Sequence, residues 1–110
     1  MAAIDLTAPA YLPFVTVTAS VPTTCQKYSL PPSHGPLLLT VYGSAALRFA
    51  TDTALSDGGA MGSNFRVIPA TTDVQIRIPP TSKGGVSAVY IAAATGTATV
   101  TLEVNRDLGQ

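Results

Sequence analysis

A chain of 110 residues is long enough to bury one hydrophobic core without disulfide or metal staples, and its length predicts a single domain. Hydrophobic residues make up 46% of it and charged residues only 11%, less than half the usual quarter, and six acidic residues balance six basic ones. The polar surface therefore has to come from Thr, Ser, Asn and Gln. A surface of that kind suits a protein packed against neighbours, because free monomers usually keep their net charge away from zero.

The charge pattern argues against a nucleic-acid partner, which would call for clustered cations on phosphates. Lys27, Arg48, Arg66, Arg77, Lys83 and Arg106 are scattered along the chain. The only cysteine, Cys25, allows no intrachain disulfide. No stretch approaches the roughly 18 apolar residues of a membrane span, and the opening residues lack the basic and apolar segments of a signal peptide. The expectation is a chain made in a cytoplasm, or assembled there into something larger, with no membrane partner.

In chain order, residues 1–13 read as an extended N-terminal arm, since Pro9 and Pro13 limit hydrogen bonding. Ile4, Leu6, Tyr11 and Leu12 give that arm more apolar character than a free tail needs. It is expected either to lie across its own domain or to cross to a neighbour. The remainder, 14–110, reads as one β domain. Phe14–Val21 is a strand with Val15, Val17, Ala19 and Val21 on one face and Thr16, Thr18 and Ser20 on the other, ended by Pro22. Thr23–Leu30 follows as a second strand, and Pro31–Pro36 is a turn cluster around His34. Pro36–Tyr42 reads as a more fully buried strand, and Ala46–Thr51 as a short one with Leu47 and Phe49 inward and Arg48 outward.

The segment Asp52–Asn64 has three glycines and reads as a long loop, at the upper edge of what compact domains carry without a purpose. As a contact loop its apolar anchors would be Leu55 and Met61; as a neutral one it is a mobile surface loop. Phe65–Pro69 and Asp73–Pro79 predict a strand pair joined by a short turn, with Val74, Ile76 and Ile78 inward and Gln75 and Arg77 outward. The closing stretch Val86–Val104 predicts a hairpin with its turn at Thr95-Gly96. In its second half Ala98, Val100, Leu102 and Val104 share one face while Thr97, Thr99, Thr101 and Glu103 share the other. Seven or eight short strands and no helix predict an all-β, single-domain antiparallel β-sandwich, jelly-roll-like or a small barrel.

Chemistry is hard to place on this chain. His34 is the only imidazole and lies in a proline-bracketed turn, so no nucleophile–base set stands out. Asp5, Asp52, Asp57, Asp73, Glu103 and Asp107 show no pairing that suits acid–base work. One His and one Cys cannot make a zinc or iron site, and the loop carboxylates follow no calcium ladder. Asp57–Gly62 lacks the lysine and helix of a phosphate loop. No cofactor or metal is expected, and the chain reads as non-enzymatic. A carbohydrate-binding or adhesin-type module would need an exposed aromatic platform, for which the tyrosines are the available candidates.

The run Ser63–Pro79, followed by Val89–Val104, resembles small β-rich structural proteins of tailed bacteriophages, the head decoration or cement proteins. The shared phrase is an aromatic, a proline, a short turn and an alternating strand, then Val-Tyr-Ile-Ala and a Thr/Ala-rich final strand. The resemblance implies a virion component assembled in the host cytoplasm. Such a protein binds and stabilises a head shell, with the major capsid protein as partner, as a homo-oligomer that is usually a trimer. Tail, neck and head-fibre proteins of phages use the same kind of sandwich. On this reading the partner-contact candidates are Ile4, Leu6, Tyr11, Leu12, Leu55, Met61, Thr97, Thr99 and Thr101. The threonine row of the last strand is poor solvent armour for an isolated domain, and uncharged threonine ladders can lie against another subunit.

Overall fold

The fold comes from a computed structural model that describes residues 4–5, 14–30, 37–51, 54–79 and 88–106, with side chains described within 18–105. Leu6, Tyr11, Leu12 and His34 lie outside the described residues, as do the 80–87 connection and the tail after Arg106. Among the described residues nine strands follow one another: β1 (Ile4–Asp5), β2 (Phe14–Val21), β3 (Gln26–Ser29), β4 (Leu37–Gly43), β5 (Leu47–Ala50), β6 (Arg66–Ile68), β7 (Val74–Ile78), β8 (Ala88–Ala93) and β9 (Ala98–Arg106). No helix occurs among them.

Two sheets pack face to face. The four-stranded one has the order β2-β9-β4-β7, and the five-stranded one the order β1-β3-β8-β5-β6. All pairs are antiparallel except β1, which lies parallel to β3 with Ile4 opposite Tyr28. This part of the arm therefore rests on its own domain.

The pairing is nested. β5 pairs β6, β4 pairs β7, β3 pairs β8 and β2 pairs β9. The chain is thus one long antiparallel ribbon whose tip is the β5–β6 connection. Rolling that ribbon up brings β9 beside β4 and β8 beside β5. This is the connectivity of a jelly roll, which closes much of its edge by rolling.

Two expected hairpins are corrected by this arrangement. β8 and β9 are consecutive in sequence but belong to opposite sheets, and so do β6 and β7. Each pair sits on the same arm of the ribbon, so the turn between its strands carries the chain across the sandwich. The turn at Thr95-Gly96 does exist, with Gly96 at φ 61°, a left-handed conformation that glycine adopts without Cβ strain. Around it Ala93 donates to the Pro22 carbonyl at 2.7 Å and Ala94 to the Ala46 carbonyl at 3.0 Å. Between β6 and β7, Thr71 holds φ 53°, unusual for a β-branched residue, and its amide donates to the Gly43 carbonyl at 2.8 Å.

Between the sheets lies the main core. Val21, Leu39, Val41, Val100, Leu102 and Val104 from one side meet Tyr28, Leu47, Phe49, Ile68, Val89, Ile91 and Ala93 from the other. Burying each such Val, Leu, Ile or Phe contributes about 1.5–3 kcal/mol. Gly43 is needed where β4 ends: a Cβ there would stand 2.7 Å from the Leu47 side chain and from the Ala45 carbonyl.

A second, smaller cluster covers the outer face of the five-stranded sheet. Cys25, Ala50, Met61, Tyr90 and Ala92 are buried in it, and Leu55 and Phe65 pack against it. The segment after β5 folds over that face. This explains why Val89–Ala93 is buried at every residue, whereas β9 alternates.

Candidate functional site

The smaller cluster accounts for the long loop. Cys25 donates to the Gly59 carbonyl at 2.8 Å, Gly58 donates back to the Cys25 carbonyl at 2.8 Å, and Thr24 bridges Ala60. The Asp57 carboxylate accepts the Lys27 amide at 3.0 Å and the Gln26 side-chain amide at 3.5 Å. The loop is therefore laced to the start of β3, unlike the mobile surface segment that its glycines predict. Met61 is 4% exposed and has no area to offer a partner, and half-buried Leu55 packs against the same cluster. Both contact anchors thus serve inside the chain.

Burial pushes the Cys25 thiol above its ordinary pKa, and the Asp57 charge pushes it further the same way. It stays protonated and poorly nucleophilic near neutral pH. Among the described residues no group of three or more His, Cys, Asp or Glu could hold a metal, and no helix is long and apolar enough to cross a membrane.

Asp57→Ala is expected to leave the Lys27 amide without its partner and loosen the loop. Stability should fall by about 1–2 kcal/mol, and Cys25 should react several-fold faster with a thiol reagent. Chemical denaturation and timed thiol labelling check both. Unchanged labelling would mean that the backbone bonds to Cys25 and the packing of Met61 hold the loop without Asp57.

The outer face of the four-stranded sheet, by contrast, is uncovered among the described residues. Because the ladders pair β9 with β2 and β4, and β4 with β7, its side chains fall into rungs. Tyr42, Thr101 and Thr18 form one; Gln75, Thr40 and Glu103 the next; Arg77, Leu38 and Asn105 a third; Thr99 and Ser20 close the other end. The Thr18 and Thr101 hydroxyls are 3.4 Å apart. Ser44 Oγ accepts the Thr99 amide at 2.9 Å, and the Asn105 side-chain amide donates to the Glu103 carboxylate at 2.9 Å.

Of the contact candidates, then, Thr99 and Thr101 are on this face, with Thr97 exposed at its margin just before β9. Ile4 is in β1 on the opposite sheet. The prominent member that sequence reasoning missed is Tyr42, 36% exposed. The sequence predicts a more fully buried β4, yet the strand alternates: Leu37, Leu39 and Val41 face the core while Leu38 and Thr40 are half-buried and Tyr42 is exposed. Three leucines in a row hide the alternation, and Thr40 and Tyr42 at its end are the signals of it.

The face spans about 20 Å across its strands and about 20 Å along them. The charged side chains on its strands among the described residues are Glu103 and Arg77, placed two strands apart, and exposed Asp73 lies at its margin just before β7. Short hydroxyls and amides lose less side-chain entropy and less hydration on burial than lysines or glutamates do. Such a surface suits contact with another macromolecule better than it suits catalysis. Comparison with family models, curated proteins and solved structures finds no match for this chain.

Proposed function

We propose that this chain is a non-enzymatic structural protein of a virus particle, a decoration protein that seats on a head shell as a homo-oligomer and reinforces it. The observation that carries this reading is the threonine and tyrosine face of the four-stranded sheet, which is sparsely charged and uncovered among the described residues. Its flat footprint of about 400 Å2 is smaller than the roughly 800 Å2 that each partner contributes to a standard interface. A contact of that size suits decoration, which works through many copies, so each contact can be weak and the array still hold. The jelly-roll connectivity supports the reading by analogy, since viral capsid proteins use it, although a fold alone does not assign a function.

Tyr42→Lys places a charge in the middle of this face without touching the core. It should leave the unfolding transition within about 0.5 kcal/mol of wild type. Association with purified particles should nevertheless fall at least about tenfold, because a buried unpaired ammonium costs more than one such factor. Quantitative mass spectrometry of purified particles, comparing wild type and variant, reads this out. Absence of the wild-type chain from particles would overturn the proposal.

One observation favours a second reading. Tyr42 offers an exposed ring beside Gln75, Thr40 and Glu103, the combination a sugar-binding face uses, and lectin domains also use jelly rolls. Glycan-array binding by the wild type that Tyr42→Ala abolishes would select it over the decoration reading.

A further inference from the structure

The sheets end in edges of unequal character. In the five-stranded sheet β1 has two residues and β6 has three, beginning with Arg66 and followed by Pro69. In the four-stranded sheet β7 has five residues, carries Arg77 and is followed by Pro79. All three are short, and two bear a charge and an adjacent proline, the devices that blunt an edge against pairing.

β2 is different. It has eight residues, Phe14-Val-Thr-Val-Thr-Ala-Ser-Val21, with no charge, proline or glycine among them. Its pairing with β9 runs one to one from Phe14 opposite Asn105 to Val21 opposite Ala98, so no bulge twists it away. Alternate residues of an edge strand direct their N–H and C=O groups away from the only neighbour. Among the described residues nothing pairs with that outer side of β2.

We propose that β2 is a self-association edge: two copies of this chain join β2 to β2 antiparallel about a two-fold axis perpendicular to the four-stranded sheet. Residues near such an axis meet their own counterparts, so any charge there would face itself. β2 carries none. Opposed residues of an antiparallel pair point to the same face, which restricts the register to one that sets threonines against threonines or serine and valines against valines or alanine. Centred on Thr18, the pair sets Thr18 against Thr18, Thr16 against Ser20, Val17 against Ala19 and Val15 against Val21. The result is a continuous sheet ordered β7-β4-β9-β2-β2-β9-β4-β7, and the threonine face becomes twice as wide. This inference does not rest on the decoration reading: the edge would pair whatever the wider face binds.

Light scattering over a concentration series tests it. The wild type should have twice the monomer mass of 11.2 kDa, and its β2 amides should exchange faster on dilution as the pair separates. Thr18→Lys opposes two ammonium groups at the axis and should run as a monomer where the wild type is paired. Ser20→Lys is the second variant, should Thr18→Lys fail to fold. Tyr42→Lys, on β4 with β9 between it and β2, should remain paired even where it has lost its hold on particles. A wild type that is monomeric at every concentration overturns the proposal. So does a three-copy mass, a folded Thr18→Lys or Ser20→Lys variant that stays paired, or dissociation by Tyr42→Lys, which would move the contact from the edge to the face.

Discussion

Leu102→Ala is expected to lower the unfolding free energy by roughly 3 kcal/mol. Leu102 is fully buried in β9, the strand that joins β2 to β4, and its backbone partners are Val17 on one side and Val41 on the other. Truncation removes the transfer energy of the lost carbons and leaves a cavity. The ladders on both sides of β9 hold its backbone in place and limit collapse into that space. For a domain of this size the loss corresponds to a fall in melting temperature of about 10–20 °C. Urea titration followed by fluorescence or circular dichroism measures it, with Thr99→Ala on the opposite face of the same strand as the control, expected within about 0.5 kcal/mol of wild type. A cost below about 1 kcal/mol at Leu102 would mean that the inward row of β9 is not the centre of the core.

That inward row is the clearest case of structure legible in the sequence. Ala98, Val100, Leu102 and Val104 are all buried, and Leu47 and Phe49 face the core while Arg48 lies outside, its guanidinium 4.7 Å from the Phe65 ring centre. Period-two alternation is a local property, so it reveals which side of a strand is wet. It says nothing about which strand lies alongside. In this ribbon only the β5–β6 pair joins sequence neighbours, whereas β2 meets β9 across most of the chain. Adjacent alternating segments separated by a tight turn normally read as hairpins, and here the same turns serve to cross between sheets. The continuous apolar run of β8 is the clue that β8 and β9 differ. A strand covered on both faces belongs to a sheet that something overlies, and a strand with a row of threonines does not.

The candidate face is half legible for the same reason. Thr99 and Thr101 stand out within one strand, and Gln75 and Arg77 read as outward on another. Their assembly with Tyr42 and Leu38 depends on β4 lying between them, a non-local fact. The loop's apolar residues are a different case. An apolar residue in a glycine-rich loop signals that it will be buried somewhere, and Met61 finds that burial against Cys25, Ala50, Tyr90 and Ala92 of its own chain.

Tyr28 supports the second large expectation, that the difference in stability between the wild type and Tyr28→Phe grows in alkali. The ring is fully buried between the sheets, and its hydroxyl has no hydrogen-bond partner among the described residues. Burial pushes its pKa up from 10.0 to about 12, because the phenolate would have to exist without water around it. Below pH 10 the group is protonated in both the folded and the unfolded chain and has no effect on pH dependence. Between pH 10 and 12 the unfolded chain releases the proton while the folded chain keeps it. The unfolded state binds fewer protons in that window, so stability falls as pH rises and levels off above it. Two pKa units correspond to roughly 2–3 kcal/mol. Phenylalanine keeps the ring and removes both the titration and the unpartnered hydroxyl. Tyr28→Phe should therefore equal or exceed the wild type by up to about 1 kcal/mol at pH 7, and its advantage should widen by roughly 2–3 kcal/mol towards pH 12. Parallel urea titrations of the two proteins at pH 7, 10 and 11.5 supply the difference, in which the contributions of the other tyrosines cancel. A variant less stable than wild type at pH 7 would show that the hydroxyl has a partner in solution, such as a bound water, and the widening in alkali should then shrink with it.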